Sequence, residues 1–140
     1  MTGMDHYGTI EALSRDIRAG VLSPVELTEY MLARIEAHDG RLKSYATVMA
    51  DSALAEARAA AAEIADGKYR GPLHGIPIAV KDLCFTKGVR TMGGLAVLAD
   101  HVPDFDATVV VRLRAAGAVL LGKLNLTEGA MAGYNPKFDV

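Results

Sequence analysis

Two short apolar segments in the second half of the chain, Pro77 to Lys81 and Ala118 to Leu121, constrain the fold more than any other feature. Neither alternates polar with apolar residues, a pattern typical of strands that are buried on both faces of a parallel sheet. The run ATVVVRLRAAGA between them has helical spacing, and Asp106 is a suitable N-cap for it. We expect its inward face to carry Val109, Leu113 and Ala116. A strand, a helical connection and a second strand predict a βαβ unit.

The first half of the chain is predicted to be mostly helical. Helices are expected over Thr9 to Ala19, over Pro24 to about His38, and over Asp51 to Asp66. Ser23 and Glu26 have the spacing of a capping box at the start of the second helix, and Gly40 lies just beyond its expected end. The short β-prone run from Ser44 to Met49 predicts a strand or an extended linker.

The chain therefore divides near residue 68 into a helical front, 1–67, and a βαβ segment, 68–140. This pattern predicts the α/β class, with N-terminal helices followed by the start of a mixed, mostly parallel sheet that helices cover on both faces. Two parallel strands cannot bury their own faces and edges, so the sheet needs further strands. We interpret residues 1–140 as the N-terminal part of a single, longer domain.

Composition and charge exclude several classes of function. The 15 Lys and Arg residues are interspersed with 17 acids, so the sequence offers no basic surface for nucleic acid. No apolar run has the length of a membrane span, and the N-terminus is acidic and amphipathic, which favours a cytoplasmic protein. The four histidines and the single cysteine have no metal-like spacing, so we expect neither metal nor cofactor.

Lys81 is the first candidate for chemistry, because ligands of open α/β sheets bind at the carboxyl ends of the strands. Burial disfavours the charged form of an amine, so a lysine held in a dry crevice is a usable base. The alternative is a lysine that extends into solvent and pairs with a neighbouring acid such as Asp82. A Cys84–His74 nucleophile and a phosphate loop around Lys123 are weaker alternatives, the latter because Leu124 replaces the required hydroxyl.

Three segments taken together resemble the amidase signature family. They are GPLHGIPIAVKDL, GVRTMGG and PDFDATVVVRLRAAGAVLLGKLNLTEGAMAGYNP, and a weaker match extends back through ALSRDIRAGVLSPVELTEYMLARIE. The resemblance covers nearly the whole chain, which is similar to the N-terminal third of the family's fold, a large mixed sheet sandwiched by helices. It implies a serine hydrolase that cleaves small-molecule amides through a Ser–cis-Ser–Lys triad.

The resemblance also implies roles for individual residues. Lys81 takes the position of the general base, and Ala130, Met131 and Gly133 match a stretch that lines the acyl pocket. The family's two serines belong to a glycine- and serine-rich loop that follows the NP segment, whereas the serines of this chain are Ser14, Ser23, Ser44 and Ser52. We therefore expect the 140 residues alone to be inactive. The alternative is a non-catalytic fragment that completes its sheet by docking on a complementary polypeptide or on a second copy.

Overall fold

The structure is a computed structural model and describes residues 7–131. Four α-helices and three strands make up its regular structure within that range, together with two single 3₁₀ turns. The helices are α1 (Ile10–Arg18), α2 (Pro24–Leu42), α3 (Ala50–Ala65) and α4 (Thr108–Ala115). The strands are β1 (Tyr45–Val48), β2 (Pro77–Lys81) and β3 (Val119–Leu124), and the 3₁₀ turns are Ala96–Leu98 and Glu128–Ala130.

The three strands form one mixed sheet in the order β1-β3-β2. β2 and β3 are parallel and α4 lies in the connection between them, which confirms the predicted βαβ unit. β1 pairs with β3 in the antiparallel sense, so the segment from Ser44 to Met49 contains a strand. Because β1 comes from the helical front, the two parts of the chain share one sheet.

Helices cover both faces of this sheet, as the predicted fold class requires. One face packs Val80 and Leu120 against Val110 of α4. The opposite face packs Val119 and Leu121 against Ala53 and Ala57 of α3. Alanine at these two positions leaves little side chain between helix and sheet, so the α3 backbone approaches β3 closely.

Two details of the predicted helices are wrong. The second helix does not stop before Gly40 but runs to Leu42, where Lys43 adopts a left-handed conformation with φ of 54°. The carboxylate of Asp39 accepts the backbone N–H groups of Ser44 and Tyr45, and so stabilises the chain reversal after this end. A side-chain acceptor at Asp39 replaces the glycine that usually ends a helix.

The fourth helix also differs from its prediction. Its N-cap is Ala107, and the Asp106 carboxylate instead accepts the backbone N–H of Lys87 and pairs with Arg114. Val110 is fully buried whereas Val109 is 45% exposed. Because Asp106 is hydrogen-bonded to the neighbouring loop, it does not cap the helix. Val110 takes the inward position expected of Val109, whereas Leu113 packs against the core as predicted.

A buried histidine joins α3 to the turn that precedes β2. His74 is 1% exposed; its Nδ1 accepts the backbone N–H of Arg70, and its Nε2 lies 3.2 Å from a Glu63 oxygen. Burial lowers the pKa of His74, and the nearby Glu63 carboxylate partly opposes that effect. Because Nδ1 accepts a hydrogen bond, it carries no proton, and the proton of the ring lies on Nε2, which donates to Glu63.

Candidate active site

The candidate site lies at the carboxyl-terminal ends of the parallel strands β2 and β3. Lys81 is the last residue of β2 and is in register with Leu124, the last residue of β3. The loop that contains Thr91 to Gly94 follows β2, and the turn Thr127 to Met131 follows β3. The structure thus places the predicted base at the strand ends where open α/β sheets bind ligands.

Lys81 is exposed, in contrast to the dry crevice expected from the sequence. Val80 and Asp82 on either side of it are buried, as the alternation of side chains along a strand requires. β2 is an edge strand, so within residues 7–131 no further strand lies beyond it to enclose Lys81. Of the apolar run that suggested burial, Ile78 and Val80 face the cluster that contains Val110 of α4, whereas Lys81 alternates to the opposite face.

Asp82 connects Lys81 to the loop that follows. Its carboxylate Oδ2 accepts the N–H of Met92 at 3.0 Å, and its carbonyl accepts the N–H of Gly93 at 3.0 Å. Its own N–H donates to the carbonyl of Leu124. With 1% of its surface exposed, Asp82 is fixed by both main chain and side chain. The sequence alternative in which Asp82 pairs with Lys81 is wrong, because Asp82 forms its ion pair with Lys123.

The loop after β2 packs closely against the turn after β3. The carbonyl of Gly93 accepts the N–H of Gly129 at 2.9 Å. A Cβ on Gly94 would lie 2.9 Å from the carbonyl oxygen of Thr127 and 3.1 Å from Cα of Glu128. Only a residue without a side chain allows this approach.

The three predicted pocket residues have different outcomes. Ala130 is half-buried with φ of 59°, an unusual conformation for a residue other than glycine, and such strain is common at functional sites. Met131 is 92% exposed. Gly133 lies outside the described residues. Gly129, which precedes Ala130, donates to Gly93, and Gly93 donates to Asp82, which follows Lys81. The structure thus brings the predicted base and this turn to the same end of the parallel strands.

Replacing Gly94 with alanine is expected to lower the free energy of unfolding by about 1–3 kcal/mol, because the added methyl group meets main-chain atoms that cannot rotate away. Gly93→Ala is the matched control. Both glycines have positive φ, but a Cβ at Gly93 has no atom within 4 Å. Urea denaturation of the two variants measures the difference. Equal destabilisation by Gly94→Ala and Gly93→Ala would show that the loop does not pack against the turn after β3.

Lys123, which the sequence motifs indicated only as part of a phosphate loop, is a buried residue. It is 0% exposed, lies in β3, donates to the Thr91 hydroxyl at 2.6 Å and forms an ion pair with Asp82 at 3.3 Å. A phosphate loop must expose its main-chain N–H groups, and here they belong to a central strand. The nucleotide-binding alternative is therefore wrong. Two features of the sequence could have indicated this pair. Lys123 is a charged residue within the apolar run VLLGKL, and Asp82 directly follows the other apolar strand of the βαβ unit.

A β-bulge decides which face of the sheet Lys123 occupies. Ile78 is in register with Leu120, and Val80 with Lys123, so β3 contains one extra residue between these pairs. Residues in register on adjacent strands share a face. Lys123 thus lies on the face of Val80 and Asp82, whereas strict alternation from Leu120 would place it on the opposite one.

The other candidates of the sequence do not form sites within residues 7–131. Both ring nitrogens of His74 are engaged by Arg70 and Glu63, and Cys84 packs against the cluster around Val80. No group of histidine, cysteine and acidic residues in this range could hold a metal ion. None of its helices is long and apolar enough to cross a membrane. An open cleft of about 700 Å³ lies between α1 and the Tyr69–Pro72 segment, outside the candidate site.

Comparison with known proteins decides the family. The family model described as Amidase matches residues 26–137, which is most of the chain. The chain belongs to the amidase family. This confirms the resemblance that the sequence motifs had indicated. The match includes β2 with Lys81, the loop after it and β3.

Individual amidase-family proteins are similar over the same region. The chain is 58% identical to AmiD of Mycobacterium tuberculosis (strain ATCC 25618 / H37Rv) over 120 residues, which are 86% of this chain and 25% of AmiD. It is 51% identical to a glutamyl-tRNA(Gln) amidotransferase subunit of Anaeromyxobacter dehalogenans (strain 2CP-C) over 119 residues, which are 85% of this chain and 24% of the amidotransferase polypeptide.

A solved amidase confirms the fold class. The native peptide amidase from Stenotrophomonas maltophilia matches with a TM-score of 0.82 and 41% identity, over 88% of this chain and 26% of that enzyme. The chain therefore spans about a quarter of the length of the amidases it matches, somewhat less than the third inferred from the motifs.

Proposed function

We propose that residues 1–140 form the N-terminal part of an amidase domain and supply its general base, Lys81. The observation that carries the proposal is the position of Lys81 at the end of β2, in a chain that belongs to the amidase family. In this proposal the helical front, 1–67, and the βαβ segment, 68–140, are parts of that one domain.

The proposed reaction is hydrolysis of the C–N bond of a small-molecule amide. In the complete domain, where further elements enclose Lys81, its amine takes a proton from a bridging serine, which in turn takes the proton of the nucleophilic serine. The nucleophile attacks the amide carbonyl, main-chain N–H groups stabilise the oxyanion, and the leaving amine accepts a proton. Water then hydrolyses the acyl-enzyme. Ala130, Met131 and Gly133 are the proposed wall of the acyl pocket.

The serines of this chain are not the proposed nucleophile or bridging group. The hydroxyl of Ser14 is hydrogen-bonded to that of Tyr69 at 2.6 Å, that of Ser23 caps α2, and that of Ser52 donates to the carbonyl of Met49. Ser44 precedes β1, which β3 separates from β2. A complete triad therefore requires serines from outside these 140 residues, and also elements that enclose Lys81.

A chimeric enzyme tests this proposal. Residues 1–140 replace the matching quarter of the Stenotrophomonas maltophilia peptide amidase, and ammonia release from the host's own amide substrate is measured. We expect turnover by the chimera and none by the isolated 140-residue chain, because a base without its nucleophile retains little of the rate. Labelling by a serine-reactive fluorophosphonate verifies that the host's nucleophile is intact. A folded, labelled chimera without turnover, or turnover by the isolated chain, would contradict the proposal.

The free edge of β2 supports a second candidate function, a fragment that docks on another polypeptide by strand addition. β2 pairs with β3 on one side only within the described residues. The partner in that case is a complementary fragment or a second copy of the chain. Sedimentation of the purified chain alone, and mixed with the host enzyme lacking its N-terminal quarter, distinguishes these partners. A strictly monomeric chain that does not bind the truncated host would exclude this candidate.

A further inference from the structure

The ion pair between Lys123 and Asp82 is a deeply buried pair of charges near the carboxyl-terminal ends of β2 and β3. Lys123 is 0% exposed, and both Asp82 and Thr91 are 1% exposed. Burial lowers the pKa of Lys123, while the negative charge of Asp82 opposes that shift. Such pairs cost desolvation energy, and well-packed apolar residues often stabilise a fold as well or better. The stability of the fold alone therefore gives no reason for a lysine at this position.

The contacts of the cluster suggest a different purpose, because they join three separate segments. The ammonium group of Lys123 donates to Thr91, which begins the loop stretch Thr91–Gly94, and pairs with Asp82 at the end of β2. The other oxygen of Asp82 accepts the N–H of Met92. One buried lysine thus connects β3, the residue after Lys81, and the start of the loop.

The same connection extends to the proposed acyl pocket. Gly93, which donates its N–H to the carbonyl of Asp82, accepts the N–H of Gly129. Gly129 is followed by Ala130, whose φ of 59° requires support from its surroundings. Any shift of Asp82 would therefore move both the main chain of Lys81 and the turn that holds Ala130.

Lys123 cannot itself be the exposed base of the site. It lies on the face of the sheet that it shares with Val80 and Asp82, whereas Lys81 alternates to the opposite face. Its amine is occupied by Thr91 and Asp82, and its side chain has no exposed surface. It can influence the reaction only through the main chain.

We propose that Lys123 is a positioning residue, which through Asp82 and Thr91 sets the location of Lys81 relative to the turn Thr127–Met131. The proposal rests on the proposed function of Lys81 as the general base. A displacement of about 1 Å between a catalytic group and its substrate can cost on the order of 10²-fold in rate. Loss of Lys123 should therefore lower kcat with little change in KM.

Two measurements test the positioning role, both on the chimeric amidase defined above. The first is hydrogen exchange at the amides of Met92, Gly93 and Gly129, and the second is steady-state amide hydrolysis. In Lys123→Met, we expect these three amides to exchange at least about tenfold faster, because the loop opens at a lower free energy once the contacts of Lys123 are lost. We expect kcat to fall by about 10- to 100-fold with KM nearly unchanged. Lys87→Met, at an exposed loop position, is the matched control and should change neither.

Lys123→Met leaves the Asp82 charge buried without its partner, so a second variant covers the case in which it fails to fold. Lys123→Met combined with Asp82→Asn removes both charges and keeps an acceptor for the N–H of Met92. Thr91→Val keeps the side-chain shape and removes only the hydroxyl that Lys123 contacts. Both should fold, and both should show the lowered kcat, with the smaller effect in Thr91→Val.

The outcomes separate this inference from the proposed function. Unchanged kcat in the folded double variant, or unchanged exchange at Met92, Gly93 and Gly129, would overturn the positioning role. A change confined to KM would overturn it as well, because it would assign Lys123 to substrate binding. Full activity of Lys81→Ala in the same chimera would instead refute the proposed function, whatever the exchange measurements show.

Discussion

Alanine at position 81 is expected to lower kcat of the chimeric amidase by about 10²- to 10⁴-fold, the usual contribution of a general base. Lys81 is exposed at the end of an edge strand within residues 7–131, so its side chain is not part of the core of that region. The substitution should therefore leave the fold intact. The measurement is ammonia release over a range of substrate concentrations, with circular dichroism and thermal melting as checks of folding.

Lys87→Ala is the control for the Lys81 experiment. Lys87 is exposed too and lies six positions further along the chain, in the loop after β2. The two variants lose the same charge from neighbouring parts of the chain, so a general electrostatic effect on substrate approach would affect both. Activity of Lys81→Ala within a few-fold of the unmodified chimera would remove Lys81 from the proposed mechanism.

Replacing Gly117 with alanine is expected to destabilise the fold more than the same substitution at Gly93 or Gly94. Gly117 has φ of 81°, a conformation that costs an alanine roughly 1–2 kcal/mol. Its added Cβ would also collide with the ring of His74, which Arg70 and Glu63 hold in place. Overpacking of this kind costs about 1–3 kcal/mol. Urea denaturation of the 140-residue chain should show a combined loss of about 3 kcal/mol.

Gly88→Ala separates the two contributions at Gly117. Gly88 has a similar φ of 74°, but a Cβ there has no atom within 4 Å. It should show only the cost of the backbone conformation. A second comparison, Gly117→Ala together with His74→Ala, removes the ring that the methyl group meets. If Gly117→Ala is no more destabilising than Gly88→Ala, the packing of His74 against the α4–β3 junction is not as described.

The positions of the main helices and strands followed from local patterns. Apolar runs without alternation indicated β2 and β3, and the Ser23–Glu26 capping box indicated the start of α2. Helix details that depend on a distant partner were wrong. Asp106 interacts with Lys87 and Arg114 rather than capping α4, and no local pattern contains that information.

The candidate site was predictable only in part. The motifs placed Lys81 at the carboxyl-terminal end of a strand, and the structure has it there, at the end of β2. The pairing of Asp82 with Lys123 was missed because a β-bulge shifts Lys123 to the face of Asp82. A single extra residue in a strand reverses the side-chain alternation beyond it, and a linear pattern does not show on which side of the bulge a residue lies.

The sequence by itself determined the family, the α/β class and the place of the lysine at a strand end, because each depends on residue types at fixed spacing along the chain. Only the tertiary structure decided which charged residues meet. It pairs Asp82 with Lys123 and leaves Lys81 exposed. The face of the sheet on which a side chain lies, and its neighbours there, depend on the register of the strands, which is set by contacts between segments distant in the chain.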